Sequence, residues 1–248
     1  RKRAKTILII SIVFNLAILG FFKYSNFFID NINNIFGFGI DFLNVVLPIG
    51  ISFYTFQTMS YTIDVFRGVT SVQKNIISFG AYVTLFPQLI AGPIVQYKTI
   101  AEQLDNRTDE LKTFGDGVKV FTVGLAKKVL LANNIGALWT TVSELPQSEM
   151  TVLTAWLGII AFAFQIYFDF SGYSDMAIGC AKCMGYDLAK NFDLPYISKN
   201  VSEFWKRWHI SLSGWFKEYL YIPLGGNRCS RKRQIFNTLY DCTANRQR

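Results

Sequence analysis

His209 is the one histidine in 248 residues, and it stands in the run NVSEFWKRWHISLSGWFKEYLYIPLGGNR at 200–228. An imidazole has an unperturbed pKa near neutrality, so it is the natural candidate for a general base. Three of the five tryptophans, Trp205, Trp208 and Trp215, share this run, which places the base among aromatic rings. A second set of chemistry-bearing side chains is Asp169-Phe-Ser-Gly-Tyr-Ser-Asp175. Its carboxylates and the hydroxyls of Ser171 and Tyr173 follow an apolar stretch. Such groups are costly at membrane depth unless they line a polar cavity or sit at its mouth. The same residues also suit a well-bonded structural turn, and spacing alone leaves both readings open.

The element that must position the histidine reads as one helix over 201–221. Asn200 can cap it, and Glu203 can bond back to the cap N–H. Glu203 and Arg207 stand four apart in the order that favours an ion pair. Pro223 ends the helix, and Gly225-Gly226 then turns the chain. At about 100° per residue, Ser202, Trp205, Lys206, Ser213 and Phe216 fall on the side of His209. Trp208, Trp215 and Tyr219 form a neighbouring stripe, while Glu203, Arg207 and Glu218 lie largely opposite. His209 is therefore expected to face a partly polar, partly aromatic environment.

The composition, 51% hydrophobic and 17% charged, is too apolar for an ordinary soluble domain. Residues 6–22 carry no charge and follow RKRAK. No small-residue cleavage site follows them, so they read as a transmembrane helix with its basic end in the cytoplasm, not as a signal peptide. The chain is expected to be an integral membrane protein. Its net charge of +8 comes largely from basic clusters at 1–5 and 228–233, with Arg246 and Arg248. Basic flanks of apolar spans are topology signals, and no nucleic-acid partner is expected. Both ends then lie in the cytoplasm, which requires an even number of crossings.

Residues 23–41 read as an aromatic, Asn-rich connection at the membrane interface. The second apolar run, 42–61, is broken at Pro48-Ile-Gly50 and carries Ser52, Thr55, Gln57, Thr58 and Ser60. These face protein or a wet cavity, or make ordinary helix–helix hydrogen bonds; both stay open. Pro87, Gly92 and Pro93 make 76–95 a kinked or re-entrant segment. Residues 96–112 are polar and read as a loop or short surface helix. The run 114–142 holds Lys119, Lys127 and Lys128. It suits a tilted helix whose lysines snorkel or one lying in the interface. Residues 152–168 form the cleanest span after the first. Cys180 and Cys183 make a CxxC, but Cys229 and Cys242 do not supply a second and no histidine is near. Packed thiols are expected there, and no metal site. With no P-loop, GxGxxG or GxSxG, nucleotide binding and serine-hydrolase chemistry have no support.

DFSGYSD at 169–175, and NFDLPYISK running into the histidine segment at 191–228, resemble the membrane-bound O-acyltransferase family. FPQLIAGPIVQY at 86–97 is similar to an earlier segment of that family. The form WHISLSGWFKEYLYIPLGGNR is nearest to the bacterial alginate O-acetyltransferase branch, with the D-alanyl transfer proteins more distant. The resemblance spans roughly residues 5–237. It implies an all-α polytopic membrane protein, its helices ringed around a central tunnel with re-entrant segments at its middle. It also implies acyl transfer from a cytoplasmic thioester, acetyl-CoA or an acyl carrier protein, to a hydroxyl, with no bound cofactor. In the alginate branch, acetyl passes across the bacterial plasma membrane to an extracytoplasmic acetyltransferase partner, which places it on the polysaccharide. His209 matches the histidine of the WHIS motif, treated as an active-site residue in this branch. Asp169, Ser171, Tyr173, Asp175, Trp205 and Ser213 are the candidates for lining the substrate path.

Members of the family continue past GGNR with further apolar spans, one carrying a second histidine in a WHG context, and they have spans before a segment like RKRAKTILII. The chain is thus expected to be a single transmembrane domain, 1–248, incomplete at both ends, with a basic, polar tail at 229–248. Two other readings stay open: a non-catalytic membrane fragment of such an enzyme, and a transporter or channel, suggested by the broken helices. No residue chooses among alginate, another exopolysaccharide, a teichoic acid or peptidoglycan as acceptor.

Overall fold

The computed structural model describes residues 2–89, 92–107 and 110–228, and every regular element among them is helical. The tail at 229–248, with Cys229 and Cys242, lies outside the described residues. The chain divides into two compact units: Arg1–Ile90, Ile94–Leu104 and Trp215–Arg248 form one, and Ala91–Pro93 with Asp105–Gly214 the other.

In the first unit, α1 (Lys2–Phe36) has no buried residue. At about 1.5 Å per residue it is long enough to cross a bilayer core of about 30 Å. The connection expected from residue 23 is instead more helix, up to Phe36. Neither Gly nor Pro interrupts 23–36, and the asparagines do not break the helix because their side chains bond elsewhere. Asn26 donates to the Leu43 carbonyl (3.0 Å) and accepts from its N–H (2.8 Å); Asn33 does the same with Ile40 (2.8 Å each). The returning coil is thereby clamped along the helix.

Helix α2 (Ile51–Arg67) ends at Gly68, whose φ of 75° lets the Gly68 and Val69 N–H groups return to Val65 and Asp64 carbonyls. Helix α2 starts just after Pro48–Gly50, where a break was expected, but residues 42–48 before it are coil and not helix. Of the two readings of the polar residues in 42–61, the first holds in part: Thr55, Gln57 and Ser60 are buried against protein, as is Asp64 one turn on. Tyr219 donates to Asp64 Oδ2 (2.6 Å), and Trp215 Nε1–H donates to the Phe56 carbonyl (3.1 Å). The kinked segment divides into α3 (Ile76–Val83), capped by Asn75, and the single turn α4 (Phe86–Leu89). Tyr82, fully buried, holds the pieces together: its hydroxyl donates to Val95 O (2.9 Å) and its carbonyl accepts from Gln88 Nε2 (2.6 Å). The polar stretch forms α5 (Tyr97–Asp105).

In the second unit, α6 (Leu111–Ala126) leads through a π-helical turn (Lys127–Ala132) into α7 (Asn133–Ser143), and α8 (Val152–Cys183) packs against all three. A Cβ at Gly117 would meet Gly179 O at 2.9 Å, and one at Gly124 would meet Gly172 O at 2.6 Å. Rising numbers in α6 therefore meet falling numbers in α8, so the two run antiparallel at backbone contact, as small residues permit between membrane helices. The turn expected at 169–175 is not there; α8 runs straight through it. Nothing in DFSGYSD forces a break, and its two aspartates bond sideways to lysines. Lys127 Nζ reaches Asp175 Oδ2 (2.6 Å), and Lys128 pairs with Asp169. Of the lysines of 114–142, Lys127 and Lys128 neutralise the carboxylates of α8. Lys119, exposed, pairs with Asp116.

The Lys127–Asp175 pair is only a quarter or so exposed (29% and 22% for the side chains), so losing one partner should cost more than the ~0–1 kcal/mol of a surface pair. It should cost less than the ~3–5 kcal/mol of a fully buried one. Asp175→Asn is expected to lower the thermal midpoint of the purified protein. Lys127→Met combined with Asp175→Leu should recover most of the loss, because no unpaired charge remains. Equal midpoints for Asp175→Asn and wild type would show that the pair contributes nothing.

Candidate active site

The expected helix over 201–221 is in fact two helices, α9 (Val201–Arg207) and α10 (Ile210–Phe216), followed by a π-helical turn (Lys217–Tyr221). His209 lies in the break. The cause is a distant segment, 191–193, that takes the hydrogen bonds a continuous helix would have made. Ile210 N–H donates to the Asn191 carbonyl (2.9 Å), and Ser211 N–H to Asn191 Oδ1 (3.2 Å). Asp193 N–H takes the Arg207 carbonyl (2.8 Å) that Ser211 would otherwise have bonded. His209 itself adopts φ 44°, a conformation costing a non-glycine residue about 1–3 kcal/mol and kept only where surroundings enforce it. Its carbonyl accepts from Ser213 N–H (3.1 Å) and so starts α10. The helical-wheel placement of Ser202, Trp205, Lys206, Ser213 and Phe216 beside His209 falls with the continuous helix.

At the start of α9 the cap is as expected on one side: Asn200 Oδ1 accepts from Glu203 N–H (2.8 Å). Glu203 bonds back one residue earlier than expected, to Lys199 N–H (3.1 Å), and pairs with Arg207 (3.0 Å). The Lys199 N–H and then Arg207 hold the Glu203 carboxyl below its usual range; the Lys190 ammonium, aided by Arg207, does the same for Asp193. Lowered carboxyls stabilise the fold above their ordinary pKa. That contribution is lost as pH falls through the depressed values.

His209 is 3% exposed. Its Nδ1 lies 3.1 Å from Asn191 Oδ1, which also accepts from the Ser211 hydroxyl (2.9 Å) and the Ser211 N–H. A backbone N–H only donates, so the amide atom facing it is the oxygen. Nδ1 must then carry the proton it gives to that oxygen, which leaves the lone pair of the neutral ring on Nε2. Asn191, 1% exposed, therefore sets the tautomer. Phe170 of α8 meets the imidazole edge-on (4.9 Å, 88°), and Phe192 stacks at 6.2 Å with Trp208 behind it. Nδ1–H is held by Asn191, the ring is buried among aromatic side chains, and the lone pair on Nε2 is the one position of the neutral ring that can accept a proton.

Of the residues singled out from sequence, Ser213 is brought to His209 through its backbone, and its Oγ is buried. Trp205 is half-buried against Phe204 (5.6 Å). On α8, Gly172 and Asp175 lie roughly 140–160° around the helix from Phe170, so Asp175 faces α6 and not the aromatic side of the imidazole. Asp169, paired with Lys128, shares that assignment; Tyr173 is half-buried and Ser171 fully buried. Sequence reading missed Asn191 and Ser211. NFDLPY carried the signal, but only as a lead-in to the next helix. Cys180 and Cys183 are half-buried thiols at the end of α8. Among the described residues, no group of three or more His, Cys, Asp or Glu is placed to hold a metal ion. A cavity of about 530 Å³ opens at that end, lined among others by Arg107, Phe114, Lys182 and Met184.

The regular elements of the described residues are helices only, and two of these, Lys2–Phe36 and Val152–Cys183, are long and apolar enough to cross a membrane, as in a membrane protein with a buried histidine. Residues 66–240 match the model of the membrane-bound O-acyltransferase family, and the chain belongs to that family. It is 48% identical over 245 residues to a probable alginate O-acetylase of Pseudomonas aeruginosa, covering 96% of this chain and 47% of that protein. It is 36% identical to a peptidoglycan O-acetyltransferase of Helicobacter pylori over 248 residues, covering 89% of this chain and 47% of the relative. A teichoic acid D-alanyltransferase of Streptococcus thermophilus is 32% identical over 183 residues, 71% of this chain and 44% of the relative. The chain spans about half the length of the curated relatives it matches.

Proposed function

We propose that the protein is an O-acetyltransferase that moves acetyl from a cytoplasmic thioester toward hydroxyls of a cell-surface polysaccharide, with His209 as its general base. The observation that carries the reading is the Asn191–His209 contact, which leaves a basic Nε2 in an aromatic, water-poor setting. An alkyl hydroxyl is too weak an acid to attack a thioester unaided; a positioned imidazole that takes its proton supplies ~10²–10⁴ in rate. The attacking oxygen bonds to the acyl carbon, its proton goes to Nε2, and the carbonyl electrons move to oxygen. Collapse then expels the sulfur, which takes the proton back. Excluding water protects the thioester meanwhile. Kinship with polysaccharide-modifying acyltransferases supports the acceptor class. Short α3 and α4 suit re-entrant segments around a substrate tunnel.

The lysines at the C-terminal end of α8, Lys182 and Lys190, against Glu144 and Glu149 before its start, support a cytoplasmic end there. A multi-pass protein of the bacterial plasma membrane, working with an extracytoplasmic acetyltransferase partner, fits this orientation. The test uses membranes containing the full-length protein, supplied with labelled acetyl as acetyl-CoA or on an acyl carrier protein. Label should leave one of the two donors and appear in the polysaccharide fraction. Membranes that consume neither donor above the rate of empty membranes would rule the reading out.

A further inference from the structure

The Asn191 amide has a second half that fixing the histidine does not use. Its Oδ1 holds three donors, whereas Nδ2 is buried and, among the described residues, bonded to nothing. A primary amide nitrogen carries two N–H donors, and leaving them unmet in a site this dry is expensive unless a ligand meets them. The orientation is not open to a flip, because the Ser211 N–H requires the oxygen where it is. Both amide atoms share one carbon, so Nδ2 lies within roughly 5–6 Å of Nδ1 of His209.

We infer that Asn191 is a catalytic residue as well as a positioning one: its Nδ2–H donates to the carbonyl oxygen of the acyl donor and holds the charge that develops there. This rests on the acyl-transfer reading above. In the attack step, the acceptor oxygen forms its bond to the acyl carbon while its proton passes to His209 Nε2. The carbonyl π electrons become an oxyanion, which receives the Asn191 N–H. When the C–S bond breaks, the oxyanion electrons re-form the carbonyl and the proton on Nε2 leaves with the thiol. A preorganised donor aimed at such an oxyanion is worth ~10²–10³ in kcat. One side chain would thus couple base orientation to charge stabilisation.

The test is Asn191→Asp in the full-length protein, assayed for acetyl transfer alongside wild type. Aspartate keeps an oxygen for His209 Nδ1–H and Ser211 but has no N–H to offer. Expected are a fall of ~10²–10³ in kcat, a donor KM within about threefold of wild type, and an acidic limb of the pH profile moved to higher pH as the carboxylate raises the imidazole's basicity. A merely structural role would move none of these selectively. Asn191→Asp with kcat within about threefold of wild type overturns the inference. Should the aspartate variant fail to insert, Asn191→Ser, which offers a hydroxyl too short to replace both amide atoms, carries the same comparison. Wild-type protein inactive on both donors overturns the acyl-transfer reading and this inference together, whereas an active wild type with an equally active variant overturns this inference alone.

Discussion

Replacing His209 by asparagine is expected to lower acetyl transfer by ~10²–10⁴, the range that a positioned general base contributes. Asparagine is the informative choice because of the backbone. His209 sits at φ 44°, where asparagine is among the better-tolerated side chains and alanine pays the full steric cost. An asparagine Nδ2–H can also donate to Asn191 Oδ1 as the imidazole does, so the break between α9 and α10 keeps its contacts. What it lacks is a nitrogen that can accept a proton near neutrality. His209→Ala should lose as much activity or more, and it should also lose stability. A histidine that only filled space would give the reverse pattern: activity in proportion to folded protein for both variants. His209→Asn with more than about a tenth of wild-type transfer per folded molecule would remove the base assignment.

Where local pattern decided the outcome, the sequence was readable. The start of α2 after Pro48–Gly50, the break around Pro87, the cap at Asn200 and the Glu203–Arg207 pair all depend on residues within four or five positions. They stand where expected. The misreadings have one cause in common, competition from residues far along the chain. The helix expected through 208–209 is cut because Asn191 and Asp193 capture its hydrogen bonds, some 15 to 20 residues upstream. The turn expected at 169–175 is helix because Lys127 and Lys128, more than 40 residues earlier, neutralise its aspartates. Asn26 and Asn33 look like loop residues but lie inside α1, where they hold the returning chain.

The site shows the same division. His209 was legible from its uniqueness and its motif, and its aromatic surroundings from the tryptophans nearby. Asn191 was not, since an asparagine opening a loop is ordinary and its partner is eighteen positions away. The aspartates of 169–175 drew attention because carboxylates in an apolar span are expensive. That cost is met by ion pairs with Lys127 and Lys128.

The second large effect is expected from Gly124→Leu, which should leave little folded protein. On α6, Gly117 and Gly124 are seven residues apart; on α8, Gly172 and Gly179 are too, and two turns of helix bring each pair to one face. A Cβ at Gly124 would stand 2.6 Å from the Gly172 carbonyl oxygen and 2.7 Å from Met176 N. Both neighbours are backbone, so relief requires moving a helix, which also draws Lys127 and Lys128 from their aspartates. Overfilling a packed interface costs about 1–3 kcal/mol for a few added atoms, and a leucine side chain adds that to the backbone clash, against a total stability of only about 5–15 kcal/mol. Alanine at the same place tests the mechanism. It gains about 1 kcal/mol of helix propensity over glycine, yet its Cβ meets the same backbone, so Gly124→Ala should still lower the thermal midpoint. Gly115, on the same helix, has nothing within 4 Å of its Cβ position, so Gly115→Ala should hold or raise it. Opposite signs for two Gly→Ala changes nine residues apart on one helix can come only from what each face meets. Equal signs would mean that α6 and α8 do not touch at Gly124 and Gly172.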